Sequence, residues 1–187
     1  AAMGEVPVVV DNTFGTPCLF RPIEYGASLV FHSASKYLNG HGDVMLGVVV
    51  GSGSAMTGVR RVTSLFGLNA NPMECWLASR GLRTLPLRMK QVSESAQTIA
   101  EFLEHHAAVI RVVYPGLASH DSHELAQRFL PNGCGGMLSF ELANGAEGVR
   151  PLFRQLAETI PFSPTLADCR TTISWPAGTS HKFVPGE

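Results

Sequence analysis

The chain has 187 residues, of which 45% are hydrophobic and 16% charged, and its formal net charge at pH 7 is −1. This composition excludes a disordered protein and predicts a globular one with a sizeable core. No basic patch interleaved with aromatic residues favours nucleic-acid binding, and no apolar run approaches the roughly 20 residues of a membrane-spanning helix. The cysteines have neither CxxC nor zinc-ligand spacing, so we predict no metal site and expect free thiols in a cytoplasmic protein.

The first part of the chain alternates apolar runs with loops and short helical segments. Three apolar runs read as buried strands, at residues 6–10, 28–31 and 44–50. Between the first two, residues 22–25 begin with proline and are followed by Gly26, which predicts a short helix that ends at the glycine. Strands that alternate with short helical segments predict an α/β fold with a mostly parallel sheet.

From residue 73 to about 107, apolar side chains recur at helical spacing, and Pro86 within this stretch predicts a break or kink. Beyond it, strand and helix patterns alternate at residues 109–113, 122–129, 137–142 and 146–156. These predict a small α+β second domain. We therefore expect residues 1–86 to be the rear part of one domain and residues 87–187 an incomplete second domain.

The chain opens almost directly on an apolar strand and stops without a closing element. These abrupt ends predict a fragment of a longer protein. A small complete domain with short tails is the alternative.

Polar side chains follow the first two apolar runs. Asp11 ends the first run, and Ser33, Ser35 and Lys36 follow the second, where open α/β sheets place their ligand sites. A buried lysine amine becomes a nucleophile that can form a Schiff base, because desolvation lowers its pKa. The serine hydroxyls can donate to a phosphate and the carboxylate can face a protonated ring nitrogen, as a pyridoxal phosphate site requires. Spacing alone also permits a solvated lysine, an N-cap serine and a turn-forming aspartate.

The residue identities in this stretch are more specific than the spacing of its polar side chains. It reads D-N-T-F-x-T-P, then R-P-x-x-x-G-A, then H-S-x-S-K-Y-x-x-G-H-G-D, and three further runs lie at Arg80–Met89, Tyr114–Leu117 and Gly135–Glu141. Together they closely resemble the Cys/Met-metabolism (trans-sulfuration) family of fold-type I pyridoxal phosphate enzymes. The resemblance implies the fold-type I architecture, a mostly parallel sheet domain followed by a small α+β domain, and pyridoxal 5'-phosphate as cofactor.

The resemblance also implies a role for each matching residue. Lys36 would bind the cofactor as a Schiff base and then move protons between substrate carbons. Asp11 would pair with the pyridinium nitrogen, and Ser33 and Ser35 would bind the phosphate. Thr165 stands where the family often has a serine near the substrate carboxylate.

Other positions near the end of the chain depart from the family pattern. Arg170 replaces a glutamate and Trp175 replaces a histidine. These departures, with Thr165, leave the substrate open. Arg80 and Arg83 we assign to support of the domain junction rather than to substrate contact.

The activity implied by the resemblance is γ-replacement or γ-elimination on a sulfur amino acid or an activated homoserine ester, as in cystathionine γ-synthase or γ-lyase. Alternatives within the family are O-acyl-homoserine sulfhydrylase, cystathionine β-lyase and methionine γ-lyase. An alternative of another class is a non-catalytic module that binds a phosphate ligand. The partner would be a small amino-acid substrate, with no nucleic acid or membrane involved, and the isolated 187-residue chain is expected to be inactive.

Members of this family assemble as homodimers or homotetramers, so the resemblance implies an oligomer here. Residues 62–68 read as a loop in which Leu65, Phe66 and Leu68 would expose an apolar patch. We predict that this segment lies at or beside a subunit interface. Alternatively, an N-terminal part of the same protein covers it.

Overall fold

The computed structural model describes residues 6–183, in which five strands form two sheets and six α-helices pack around them. None of the helices in that range combines the length and hydrophobicity that crossing a bilayer requires. The strands are β1 (Val9–Asp11), β2 (Leu29–Ser33), β3 (Gly47–Gly51), β4 (Val109–Val113) and β5 (Ser139–Leu142). The helices are α1 (Thr16–Leu19), α2 (Gly53–Leu65), α3 (Pro72–Leu82), α4 (Leu85–Glu104), α5 (His123–Phe129) and α6 (Gly145–Leu156).

The first sheet has the order β1-β2-β3 and is mixed. Strands β1 and β2 are parallel, with Asp11 opposite Phe31, whereas β2 and β3 are antiparallel, with Ser33 opposite Gly47. Residues 34–46 connect β2 to β3 without an α-helix to carry the chain across the sheet, and β3 returns antiparallel to β2. The α/β class is as predicted, but the described sheet has one antiparallel pair and is not mostly parallel.

At β2 this sheet buries one face and exposes the other. Val30 and His32 of β2 are buried, while Val9 is 53% exposed and Phe31 41% exposed. Successive side chains of a strand point to opposite faces, so a strand buried on a single face shows this alternation. The prediction of buried strands therefore holds for one face of β2, whereas Val9 and Phe31 are exposed.

Helix α4 carries two core clusters along its length. Near its N-terminus, Leu85 and Met89 pack in a cluster with Leu19, Ala34, Tyr37 and Leu38; near its C-terminus, Ala96 and Ala100 pack in a cluster with Tyr114 and Leu117. Pro86 lies in the first turn of α4, where its missing N–H costs nothing, so the predicted break falls between α3 and α4. The division of the chain at residues 86 and 87 stays a prediction, and it falls in this first turn.

The second part of the chain forms the predicted strands and helices. Strands β4 and β5 pair antiparallel, and α4 packs on β4. At the end of β4 the buried Tyr114 donates its hydroxyl hydrogen to the carbonyl of Gly135 at 2.9 Å, which ties the strand to the segment before β5. Because burial disfavours the phenolate, the pKa of Tyr114 is raised and this hydroxyl stays a donor.

Helix α2 corrects the prediction of a loop at residues 62–68, because the helix continues to Leu65. Met56, Val59 and Val62 recur at helical spacing, and this periodicity prevails over the glycine, serine and threonine that surround them. None of the α2 residues, all within the described range, is buried.

Candidate active site

The carboxyl ends of β1 and β2 are joined by a short relay of hydrogen bonds. The Oδ1 atom of Asp11 accepts from the backbone N–H of Thr13 at 2.9 Å, and the Oγ1 atom of Thr13 accepts from the backbone N–H of Ser33 at 2.8 Å. Asp11 and Ser33 also share a sheet face, since Ser33 lies two residues beyond the register partner of Asp11. The structure thus brings the predicted carboxylate and the first predicted hydroxyl to one sheet edge.

Thr13 was missed by the sequence analysis, although it is buried and central to this relay. Its position two residues after an aspartate is the signal that could have found it. An aspartate side chain commonly accepts from the backbone N–H two residues later and so fixes the turn.

Lys36 lies in what we call the lysine turn, residues 34–40, which follows β2 directly. It opens as a π-helical segment, Ala34–Leu38, in which Lys36 has non-helical backbone angles, φ −95° and ψ −134°. Ala34, Tyr37 and Leu38 are buried in the core, whereas Lys36 is half-buried. The core therefore anchors the turn on both sides of the lysine and leaves its amine accessible.

Ser35 is held from the other side of the turn. Its Oγ atom accepts from the backbone N–H of Leu46 at 3.0 Å, and the carbonyl of Leu46 accepts from the N–H of Ala34 at 2.8 Å. Because the Ser35 hydroxyl is the acceptor in this bond, its own hydrogen stays available for a ligand.

A segment far along the chain closes over the lysine. The Nζ atom of Lys36 donates to the Oγ1 atom of Thr165 at 2.9 Å, across 129 positions of sequence. Leu166 and Ala167 pack against the core cluster below the lysine turn, and the thiol of Cys169 donates to the carbonyl of Gly40 at 3.0 Å. The structure thus places Thr165 against the lysine amine, while its predicted role near a substrate carboxylate stays a prediction.

His32 lies beneath this site on the buried face of the sheet. Its side chain is buried, and its Nδ1 atom has no hydrogen-bond partner among residues 6–183. Desolvation lowers the pKa of His32, against opposing contributions from the Asn12 backbone and the Asp11 carboxylate.

The departures from the family pattern take part in local contacts. The Nη2 atom of Arg170 lies 3.9 Å from the Oδ2 atom of Asp168, and the arginine side chain is mostly exposed. The carbonyl of Trp175 accepts from the Thr179 hydroxyl at 2.9 Å, at the start of the 3-10 turn Pro176–Gly178.

A further residue missed by the sequence analysis is Arg88. Arg80 and Arg83, which were predicted to support the domain junction, are both exposed, whereas Arg88 is half-buried and donates to the carbonyl of Tyr37 at 2.7 Å. The sequence signal for Arg88 is its place in the R-G-L-R-T-L-P-L-R-M run. That run alone does not indicate which of its arginines turns inward.

Comparison with known proteins agrees with this geometry. The profile of the Cys/Met metabolism PLP-dependent enzymes matches residues 1–187 of the chain. The chain belongs to this family. It is 45% identical to the L-methionine gamma-lyase of Porphyromonas gingivalis, covering 97% of this chain and 46% of that protein. It is 41% identical to the cystathionine beta-lyase of Lactococcus lactis, covering 96% of this chain and 47% of that protein.

Solved structures place the fold in the same family. The cystathionine gamma synthase of Xanthomonas oryzae, in complex with aminoacrylate and cysteine, superposes with a TM-score of 0.92 at 39% identity. This match covers 97% of this chain and 46% of that one. The fold-type I prediction is confirmed, and the chain spans about half the length of the relatives it matches.

The residues present fit the cofactor of the family. Asp11 uses one carboxylate oxygen for Thr13, which leaves the other for a protonated ring nitrogen. The hydroxyl of Ser33 has no hydrogen bond to another described residue, and that of Ser35 keeps its hydrogen. With the amine of Lys36, the donor set has an acceptor for the ring, two donors for the phosphate and a nucleophile for the aldehyde.

Proposed function

We propose that the full-length protein is a pyridoxal-phosphate-dependent enzyme that acts on sulfur amino acids by γ-elimination or γ-replacement, with Lys36 as its catalytic lysine. The observation that carries this proposal is the 2.9 Å hydrogen bond from the Lys36 amine to the Thr165 hydroxyl. It fixes the amine of a lysine that follows the strand carrying Ser33, next to the strand that ends at Asp11.

Each residue has a distinct task in this proposal. The bound cofactor supplies an electron sink for the carbanion that forms at the substrate α-carbon. Lys36 accepts a proton from that carbon at Nζ and then returns it to another substrate carbon, while the Thr165 hydroxyl orients the amine. Asp11 keeps the ring nitrogen protonated through its second carboxylate oxygen. Ser33 and Ser35 donate their hydroxyl hydrogens to the phosphate and so fix the cofactor in the site.

The names of the relatives support sulfur amino acids as the substrate class. They leave open whether the reaction occurs at the γ-carbon or the β-carbon of the substrate. Two of them act, by name, at the γ-carbon and one at the β-carbon. The site residues of this chain serve both reactions, since both begin with loss of the α-proton to the lysine. We propose the γ-reactions first, and β-elimination from cystathionine is the second candidate, favoured by the beta-lyase relative.

A silent phosphate-binding module is disfavoured by the same residues. A phosphate ligand requires donors such as Ser33 and Ser35, but it requires neither a carboxylate at the neighbouring strand end nor a lysine amine aligned by a hydroxyl. Asp11 and Lys36 together are explained by a ring nitrogen and an aldehyde in one ligand.

We further propose that the protein is a homodimer or homotetramer in which the end of α2 lies at a subunit interface. Leu65 is 71% exposed and Phe66 is 74% exposed, and Leu68 continues the patch. Three exposed large apolar side chains within residues 65–68 favour an interaction site. The cytoplasmic location of the protein stays a prediction.

The test uses the full-length protein supplied with pyridoxal phosphate. Lys36→Ala should abolish the visible absorbance of lysine-bound cofactor and all turnover, whereas Lys90→Ala, which removes an exposed lysine on α4, should change neither. Asp11→Asn should keep the cofactor and lower kcat by orders of magnitude. Release of a 2-oxo acid and a thiol from methionine, and from cystathionine, separates the candidate substrates. Absorbance and turnover that survive in Lys36→Ala would refute the proposal.

A further inference from the structure

Arg88 makes an unusual set of contacts for an arginine outside the ligand site. Its Nη1 atom donates to the carbonyl of Tyr37 at 2.7 Å. Its Nη2 atom donates to the carbonyls of Leu38, at 3.3 Å, and Gly81, at 2.8 Å. Its Nε atom donates to the Oγ1 atom of Thr84 at 3.0 Å. The guanidinium thus joins the lysine turn to α3 and α4 at one point.

Two carbonyls of the lysine turn require hydrogen-bond donors, and this guanidinium supplies them. Its backbone bonds run from the N–H of Asn39 to the carbonyl of Ala34 and from the N–H of Gly40 to the carbonyl of Lys36, which is a π-type and then an α-type spacing. The break in helical angles at Lys36 interrupts the regular ladder, so the next two carbonyls point out of it. Buried carbonyls require partners, and a charged donor bonds them more strongly than a neutral one.

The surroundings are shaped for this contact. A Cβ atom on Gly40, whose φ is +76°, would lie 2.2 Å from Arg88 Nη1. A Cβ atom on Gly81 would lie 2.4 Å from the carbonyl oxygen of Asn39. Each glycine permits an approach that any side chain would block: one admits the guanidinium, and the other admits α3 to the backbone of the turn.

We propose that Arg88 is a positioning residue for Lys36. It touches neither the amine nor the proposed ligand site, and it acts by fixing the two residues that follow the lysine to α3 and α4. The Thr165 hydroxyl orients the far end of the lysine side chain, and Arg88 fixes the backbone from which that side chain starts. This inference rests on the proposed function, because the amine needs a fixed direction only if it performs chemistry.

Thr84 gives the proposal a matched pair of variants. Its hydroxyl accepts from Nε and holds the plane of the guanidinium so that both Nη atoms face the turn. Thr84→Val removes this acceptor at nearly constant volume, and Thr84→Ser keeps it. A lysine at position 88 keeps the charge but loses the planar fork, so Arg88→Lys should not restore the contacts.

The first measurement is hydrogen exchange on the cofactor-free full-length protein. In Arg88→Lys the amides of residues 37–40 should exchange roughly tenfold faster or more, since charge-assisted hydrogen bonds are lost, while the amides of β4 and β5 keep their rates. Thr84→Val should give a smaller increase at the same amides, and neither Thr84→Ser nor the exposed α4 variant Lys90→Ala should give any.

The second measurement is made on the cofactor-loaded protein and reports orientation. In Arg88→Lys the visible circular dichroism per bound cofactor should fall while the visible absorbance stays, and kcat should fall roughly tenfold with KM little changed. Thr84→Val should also lower both the circular dichroism per bound cofactor and kcat.

The outcomes separate the two proposals. Wild-type protein without visible absorbance would refute the proposed function, and the exchange rates of the cofactor-free protein would still decide whether Arg88 holds the turn. Unchanged exchange at residues 37–40 and unchanged circular dichroism in folded Arg88→Lys would overturn the positioning role. If Arg88→Lys does not fold, the Thr84→Val and Thr84→Ser pair decides by the same two readouts.

Discussion

Gly81 offers a sharp test of the packing around the lysine turn. It lies near the end of α3, where a Cβ atom would meet backbone atoms of Asn39: the carbonyl oxygen at 2.4 Å, Cα at 2.9 Å and the carbonyl carbon at 3.0 Å. Backbone atoms cannot rotate away as a side chain does. Ordinary contact begins at 3.4 Å, so Gly81→Ala must move the helix and the turn about 1 Å apart.

The expected cost follows from two opposing effects. Overpacking of this kind costs roughly 1–3 kcal/mol. Alanine gains roughly 0.8–1.0 kcal/mol over glycine in a helix interior, and less near a helix end. Gly81→Ala should therefore destabilise the protein by about 1 kcal/mol. Gly58→Ala is the matched control, because Gly58 lies inside α2 with nothing within 4 Å of its added Cβ, so the same substitution should stabilise by roughly 0.5–1 kcal/mol.

The assay is thermal unfolding of the full-length protein and its two variants at equal concentration. In a protein about twice the length of this chain the midpoint of Gly81→Ala should fall by roughly 1–2 °C, and that of Gly58→Ala should rise slightly. Gly81→Ala should also lower cofactor occupancy, since Asn39 lies three residues after Lys36. Two variants that change the midpoint by the same amount in the same direction would show that α3 does not press on the turn.

Three further substitutions test other contacts. Thr165→Val, which removes the acceptor 2.9 Å from the Lys36 amine, should lower kcat roughly 2- to 10-fold, whereas Thr165→Ser should not. Burial lowers the pKa of His32 below 6.5, so the unfolded chain takes up a proton there before the folded chain does. Stability that is present above pH 6.5 should then be lost as the pH falls toward the folded pKa, and His32→Phe should flatten this dependence of the unfolding midpoint between pH 7.5 and 5.5. Phe66→Asp should shift the sedimenting species from oligomer toward monomer; an intact oligomer would place the interface elsewhere.

The sequence by itself determined the elements whose causes are local. Residues 22–25 form the predicted short helix, here a 3-10 helix, and it ends at Gly26 because φ of +90° suits a residue without a Cβ atom. Strand β4 spans the predicted residues 109–113, because a run of β-branched side chains bounded by a helix and a Pro-Gly turn suits little else. Asp11 and Ser33 likewise end β1 and β2, where two apolar runs stop, and Lys36 follows β2 in the lysine turn.

Tertiary structure alone decided the contacts between distant parts of the chain. Which surfaces meet after folding decides the direction of β3 and the hydrogen bond from Lys36 to Thr165. It also decides that Arg88, rather than Arg80 or Arg83, turns inward. Arg88 turns inward because the lysine turn leaves carbonyls that need a donor, and that need exists only once α3, α4 and the turn have packed together. Hydrophobic periodicity sets which face of an element is buried, but it does not specify the partner against which that face packs.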